Sequence, residues 1–328
     1  MMAPRGDFLE GNTMNMDAET RCGYQISSEM KKIWAIQMNM VSHLLEVCKK
    51  YNLQIWADGG TLLGLIREHG YSPWDDDIDM LILRADYDKL SAVAEKEFTH
   101  PYFFQTSRTE KRLFRGHAQI RYDGTAAMLP SDVFQDFNQG VFIDIFVYDE
   151  IPDVEDEKWR SCLERADYIS SAFWRARHTK LSIFHPRYSV ATMASRAYIT
   201  IKGAGNLFDE YEDMFRQYNG RGYHRIACPC FRRDCFDTAT KEKDWYKETI
   251  WLQFEDMKLP VPIGYDDVLR TQYGSDYMTP KMAPSLHGGF LVLDPEKSYL
   301  DYLKPLRKEE RRQRIKRGIL KLRKLMRL

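Results

Sequence analysis

Between Trp56 and Asp88 the chain reads WADGGTLLGLIREHGYSPWDDDIDMLILRADYD, and Asp75, Asp76, Asp77 and Asp79 crowd there at the mouth of a predicted strand. Carboxylates this close repel one another. Alternate side chains of a strand share a face, so Asp77 and Asp79 point together while Ile78, Met80 and Ile82 point into a core. A pair so placed suits a hard divalent cation, Mg2+ or Mn2+, which prefers oxygen ligands. A charged turn that solvates a strand end would also produce a bare D-x-D, so the pair alone decides little. Two further features favour chemistry. Asp144 lies in VFIDIF, an otherwise apolar strand where an unpaired charge is costly, so it requires a cation or a polar network. Upstream, Gly59, Gly60 and Thr61 open a predicted helix, and backbone N–H groups at a helix N-terminus bind phosphate oxygens. A phosphate cradle, the Asp77/Asp79 pair and a third strand carboxylate together describe a metal-dependent phosphoryl-transfer site.

Several elements must bring these side chains together. Ser27 or Ser28 caps a predicted helix whose stripe of Trp34, Met38, Val41, Leu45 and Cys48 recurs at steps of four and three and ends near Tyr51. A strand over 53–57, a tight turn at Asp58-Gly59-Gly60 and a helix over 61–67 follow; Gly70 and Pro73 break that helix before a strand over 78–83 and a helix from about 86 to 98. Further strands are expected over 103–105, 117–121 and 141–146, the last closed by a turn over 149–153. Residues 155–220 are helix-compatible and 224–260 return to strands. The expected fold is α/β (α+β): a flexible arm over 1–23, a mixed-sheet core over 24–303 with a helical insertion at about 155–220, and a basic helix over 304–328.

With 44% apolar and 29% charged residues among 328, wholesale disorder, collagen and a disulfide miniprotein are excluded. Six cysteines without a regular framework fit a reducing compartment. No apolar run approaches the ~18 residues that cross a bilayer, and no signal-peptide pattern opens the chain, so a cytoplasmic protein is expected. Charge is segregated: residues 304–328 hold 12 Lys/Arg and two Glu, a net of +10, against −10 for the rest. In that tail Ile315, Ile319, Leu322 and Met326 form one apolar stripe among cations, the pattern of a helix lying on an anionic membrane surface. A solvated basic helix or a nucleic-acid patch is the alternative. The lack of aromatic residues after Tyr302 argues against single-strand binding, and no nucleic-acid partner is expected.

The run GGTLLGLIREHGYSPWDDDIDM, followed by LRADYDKL, resembles the signature of the LicD family. AQIRYDGT, VFIDIF and LPVPIGYDDVLRTQYGSDYMTP resemble that family in order and spacing, across about residues 25–290. The resemblance implies a nucleotidyltransferase-like fold and the activity of phosphocholine transferases of bacterial surface glycans, with a domain similar to that of the fukutin and fukutin-related ribitol-phosphate transferases. It implies a CDP-alcohol donor, a glycan acceptor and release of CMP. By motif position Asp77 and Asp79 would be the metal pair, Asp144 the third carboxylate and base, and Gly60 with Thr61 the phosphate-binding turn. Without the membrane anchor of a Golgi enzyme, the expected acceptor is a bacterial surface polymer, carried in one reading on a lipid at the cytoplasmic leaflet. Tyr71-Ser72 stands where the family carries Phe-Ile, and Val147-Tyr148-Asp149 where it carries Pro-Leu-Asp; neither change touches a proposed ligand. Choline, ribitol and CDP rest on the resemblance alone.

Other residues are weighed against plainer roles. Arg67 would reach a donor phosphate with a bidentate guanidinium or pair with the aspartates. Arg121 sits where the family carries a basic residue near the donor. Glu255 and His287 fall in supporting motifs. Trp56, Tyr71 and Trp74 would stack on a cationic head group or simply pack. His224, Cys228, Cys230 and Cys235 spell a conceivable zinc set, but the Cys-Pro-Cys spacing is too short for the common C-x2-C knuckle. The rival readings are a nucleotidyltransferase proper, a D-x-D glycosyltransferase and a catalytically silent membrane-attached binding module.

Overall fold

A computed structural model describes residues 14–110, 113–178, 181, 186–230, 239–282 and 289–325. Helix α1 (Ser28–Tyr51) starts at Ser27, whose Oγ accepts from the Met30 N–H at 3.1 Å, and stops where Asn52 turns left-handed at φ 53°. Its stripe packs as expected, with Trp34, Met38, Val41 and Cys48 buried. The same helix positions the acidic loop. Trp34 Nε1 donates to the Asp75 carbonyl at 3.0 Å and Gln37 Nε2 to that of Asp76 at 2.8 Å.

The chain continues through β3 (Ile55–Ala57), α2 (Gly59–Glu68), β4 (Asp79–Leu83), α3 (Arg84–Glu97), β5 (Tyr102–Gln105), β6 (Ala118–Tyr122), β7 (Ala126–Met128) and β8 (Val141–Ile151). Three helices follow, α4 (Glu157–His178), α5 (Pro186–Lys202) and α6 (Ala204–Arg216), so the expected helical insertion is present. Then come β9 (Arg225–Ala227), β10 (Lys241–Glu242), β11 (Thr249–Phe254), β12 (Met257–Pro262), α7 (Tyr265–Tyr273), β13 (Val292–Asp294) and α8 (Tyr299–Leu325).

Among the described residues, seven strands form the main sheet around β8. One edge of β8 pairs in parallel with β4, which pairs with β3; the other pairs antiparallel with β6 and, further along, with β9. Mixed pairing with helices against it makes this the α/β class expected. Ile78, Met80 and Ile82 are fully buried, as strand alternation requires, and Leu81 on the opposite face is buried too. Ile151, Trp159, Leu163, Ile169, Leu207, Tyr211 and Phe215 make a second apolar cluster under α4 and α6.

Two expectations need correction. The arm over 1–23 is not loose throughout, because β1 (Glu19–Arg21) pairs with β2 (Tyr24–Ile26). Ion pairs from Arg21 to Glu255 and Lys31 to Glu19, each 2.5 Å, fasten that hairpin to the body. The turn expected over 149–153 begins later, since β8 runs on to Ile151. Asp149 is tolerated in a buried strand because Arg84 donates to both its oxygens, at 2.8 and 2.9 Å.

Candidate functional site

Strand register assembles the carboxylates. Asp79 of β4 stands opposite Asp144 of β8, and Gln119 of β6 stands opposite Asp144 on its other side. Asp77, two residues before Asp79, extends the same row. One carboxylate oxygen from each of Asp77, Asp79 and Asp144 lies within 4.8 Å of the others, and Asp75, Asp76 and Asp77 satisfy the same criterion as a second set. The backbone is pinned on both sides: the Asp144 N–H donates to the Ile78 carbonyl at 2.8 Å, and the Asp58 N–H to that of Asp79 at 3.0 Å.

Burial raises the Asp77 and Asp79 carboxyls well above the usual range, and neighbouring carboxylates add to it: Asp79 and Asp75 for Asp77, Asp144 and Asp75 for Asp79. Such a set is hostile to its own ionised form and complementary to a divalent cation. The donors are all hard oxygens at ligand separation, so the residues fit Mg2+ or Mn2+. The nearby ammonium of Lys241 is already engaged: it is fully buried and ion-paired with buried Asp58, which also accepts from the Tyr148 hydroxyl at 3.1 Å.

The start of α2 abuts this cluster. Gly59 has φ +52°, and a Cβ there would sit 2.7 Å from Asp79 Oδ2; a Cβ on Gly60 would sit 2.7 Å from Asp75 Oδ2. Both glycines are therefore needed for the helix N-terminus to approach the carboxylates. Thr61 accepts from the Asp79 N–H at 2.8 Å through Oγ1, so its side chain clamps β4 to α2.

Behind the site runs a polar relay. Gln119 Nε2 donates to Asp144 Oδ1, and His117 Nε2 is 3.4 Å from that oxygen. Arg121 donates to Gln119 Oε1 at 2.7 Å, Gln105 Oε1 at 2.9 Å and the Gly140 carbonyl at 2.7 Å. Burial, then the charge of Arg115, lowers its pKa to about 9. This corrects the expectation for Arg121. Its guanidinium is buried and spent on the protein, supporting Asp144 through Gln119 instead of facing a donor. Arg67 is corrected likewise, being held by Glu68 at 2.5 Å, Ser72 Oγ at 3.2 Å and the Tyr277 carbonyl at 3.4 Å, and pairing with none of the aspartates.

Of the aromatic residues, Trp56 and Tyr71 are buried, Tyr71 stacking on Trp34 at 4.3 Å, while Trp74 keeps part of its surface exposed. Glu255 is structural, bound by Arg21 and by the Tyr71 N–H at 3.1 Å. His224 pairs with Asp153 at 3.0 Å on the surface, whereas the sulfurs of Cys228 and Cys230 approach to 2.8 Å. Cys235 and His287 lie outside the described residues. Among the described residues no zinc set forms around the Cys-Pro-Cys pair. Asp58, Lys241, Tyr148, Gln119 and His117 were not singled out from sequence. Lys241 is 183 positions from its partner Asp58, and nothing local announces the contact.

A glycine-opened helix feeding a strand D-x-D, with a third carboxylate from the parallel neighbour in a mixed sheet, is an arrangement suited to metal-assisted phosphoryl transfer. Residues 52–169 match the family described as LicD/FKTN/FKRP, nucleotidyltransferase domain, so the motif resemblance is borne out. Over 251 residues the chain is 24% identical to the lipopolysaccharide cholinephosphotransferase LicD of Haemophilus influenzae, covering 74% of this chain and 88% of that protein. A 63-residue stretch is 40% identical to an uncharacterized protein of Rickettsia typhi, covering 19% of each chain. A second such protein, of Rickettsia prowazekii, is 38% identical over 63 residues, 19% of this chain and 23% of that one. No helix among the described residues is long and apolar enough to cross a membrane.

Proposed function

We propose that this protein is a metal-dependent phosphotransferase that moves a substituted phosphate from a CDP-alcohol to a hydroxyl of a cell-surface glycan. The observation that carries the reading is the convergence of Asp77, Asp79 and Asp144 against the α2 N-terminus, inside the stretch that matches the LicD family. The likeness to a lipopolysaccharide cholinephosphotransferase supports phosphocholine, or a related alcohol phosphate, as the group moved and lipopolysaccharide as the acceptor class. Mg2+ or Mn2+, when held by the three aspartates, supplies charge neutralisation for the diphosphate. The acceptor oxygen forms a bond to the phosphorus that bears the alcohol, the bridging P–O bond breaks, and its electron pair leaves on CMP. Asp144, oriented by Gln119, takes the acceptor proton. Gly59, Gly60 and the first N–H groups of α2 face donor phosphate oxygens. The basic helix α8, with Ile315 and Ile319 exposed among its cations, rests on an anionic membrane and keeps the enzyme near a lipid-carried acceptor.

The test is a thermal-shift panel of CDP-choline, CDP-ribitol, CDP-glycerol, CDP-ethanolamine, CTP and nucleotide sugars with Mg2+, Mn2+ or EDTA, since a ligand that binds the folded state raises its melting temperature. A metal-dependent shift with one CDP-alcohol, followed by CMP release on turnover, is expected. Pyrophosphate release from CTP would favour a nucleotidyltransferase, a shift only with a nucleotide sugar a glycosyltransferase, and no shift at all a silent binding module. Asp77→Asn and Asp79→Asn should fold and lose turnover; wild-type rates in both would sink the proposal.

A further inference from the structure

A surface helix ordinarily buries its apolar stripe and shows polar side chains to water. Helix α5 packs Tyr198 and Ile199 inward against the second apolar cluster, yet keeps a further apolar stripe outside. Its buried residues are Thr192 and Ser195, while Val190, Met193, Ala194, Ala197 and Ile201 recur at steps of three and four along the outer face. Val190 is 66% exposed, Met193 59% and Ile201 81%, so the stripe is open to solvent over most of the helix. The charge on the helix itself is one-sided: α5 carries Arg187, Arg196 and Lys202 and no Asp or Glu. Trp174 of α4 and Tyr188 of α5 are exposed beside it.

The basic helix α8 is tied to the same part of the molecule. Arg177, at the end of α4, pairs with Asp132 at 2.5 Å, while Arg307 of α8 donates to the carbonyls of Val133 at 2.7 Å and Gln135 at 2.6 Å. Arg314 lies 4.4 Å from the ring of Phe134. The C-terminal end of α4 and the body of α8 therefore hold one short segment over 132–136, and α5 is joined to α4 by the Arg175 hydrogen bond to Ser195 Oγ at 3.2 Å.

We propose that the outer face of α5 seats on an anionic lipid bilayer, its apolar stripe entering the interface while the arginines and lysines around it meet lipid phosphates. Apolar side chains, interfacial aromatics and cations of a single sign are what such a surface accepts. A second copy of the chain fits less well. An isologous contact through this face would set the Arg187, Arg196 and Lys202 charges of two copies together, with no acidic residue on α5 to answer them. The inference does not rest on the transferase reaction, nor on α8 alone.

The experiment uses the full chain, sedimented with vesicles of phosphatidylcholine and with vesicles in which phosphatidylglycerol replaces a substantial fraction. Wild type should sediment with the anionic vesicles. The double variant Met193→Glu/Ile201→Glu should lose at least about tenfold in partitioning while keeping its melting temperature and its response to metal. Equal partitioning of the double variant and wild type would overturn the proposal, as would failure of wild type to bind. Light scattering without vesicles that shows a dimer dispersed by the same substitutions would also overturn it, in favour of self-association. Hydrogen exchange on wild type gives a reading that does not depend on the variants folding. Anionic vesicles should slow exchange across α5, and unchanged exchange there would refute the contact.

Discussion

Gln119 joins two buried groups of opposite charge, donating its amide N–H to Asp144 and accepting from Arg121 through its carbonyl oxygen. It fixes the direction of the one site carboxylate that comes from β8, so Gln119→Met should reduce kcat about 10- to 100-fold, the usual cost of removing a partner behind a metal-site ligand. Steady-state kinetics with KM little changed would confirm positioning; an unchanged kcat would exclude it. Lys241 is a harsher case. Lys241→Met leaves the Asp58 carboxylate buried without its countercharge beside Asp79, and breaking a buried pair in this way costs about 3–5 kcal/mol. Chemical denaturation should show that loss, and the double variant Lys241→Met/Asp58→Asn should recover much of it. The three site aspartates were readable in sequence because strand alternation and one compact motif place them, whereas Gln119, Lys241 and Tyr148 act through pairings between distant segments. Arg67 and Arg121 misled for a related reason. A guanidinium in a motif looks the same in sequence whether it faces a ligand or is enclosed by Gln105, Gln119 and a backbone carbonyl.

At the level of elements, the junction of β3, α2 and β4 is the part of the fold that makes the site. Its two glycines differ in what they tolerate. Gly59→Ala forces a left-handed residue to carry a Cβ, at about 1–2 kcal/mol, and drives that atom into Asp79, so loss of both stability and metal response is expected. Gly60→Ala meets only the carboxylate end of Asp75, which can swing aside. That variant should melt near wild type in EDTA yet lose most of the metal-dependent rise in melting temperature; a normal metal response would show that the close approach at Gly60 is not needed. Periodicity located α1, α2, β4, α3 and the helical insertion because each has a local pattern and a local stop signal. It missed β1 and β2, whose anchoring comes from Glu255 far along the chain, and the far end of β8. There Asp149 reads as a turn residue until Arg84 neutralises it.

Across the whole molecule, a buried cation joins the sheet to the helical insertion. Arg84 opens α3, donates to both oxygens of Asp149 in β8 and donates to Glu212 of α6 at 2.9 Å, with all three side chains buried. The cluster under α4 and α6 has its own apolar contacts and touches the sheet through Ile151 and Ala227, so this ion network supplies polar specificity where the two cores join. Arg84→Met should cost about 3–5 kcal/mol, because two carboxylates are left buried with one of their cations gone. The loss should be uneven. Hydrogen exchange should quicken first in α4, α5 and α6, while the melting shift expected with Mn2+, which would depend on α2, β4 and the first half of β8, should survive in the fraction still folded. Arg84→Lys should rescue little, since one ammonium cannot match the fork that spans Asp149 and Glu212. Uniform acceleration through both cores would show instead that sheet and insertion unfold as one unit, with Arg84 an internal prop and not the hinge pin between them.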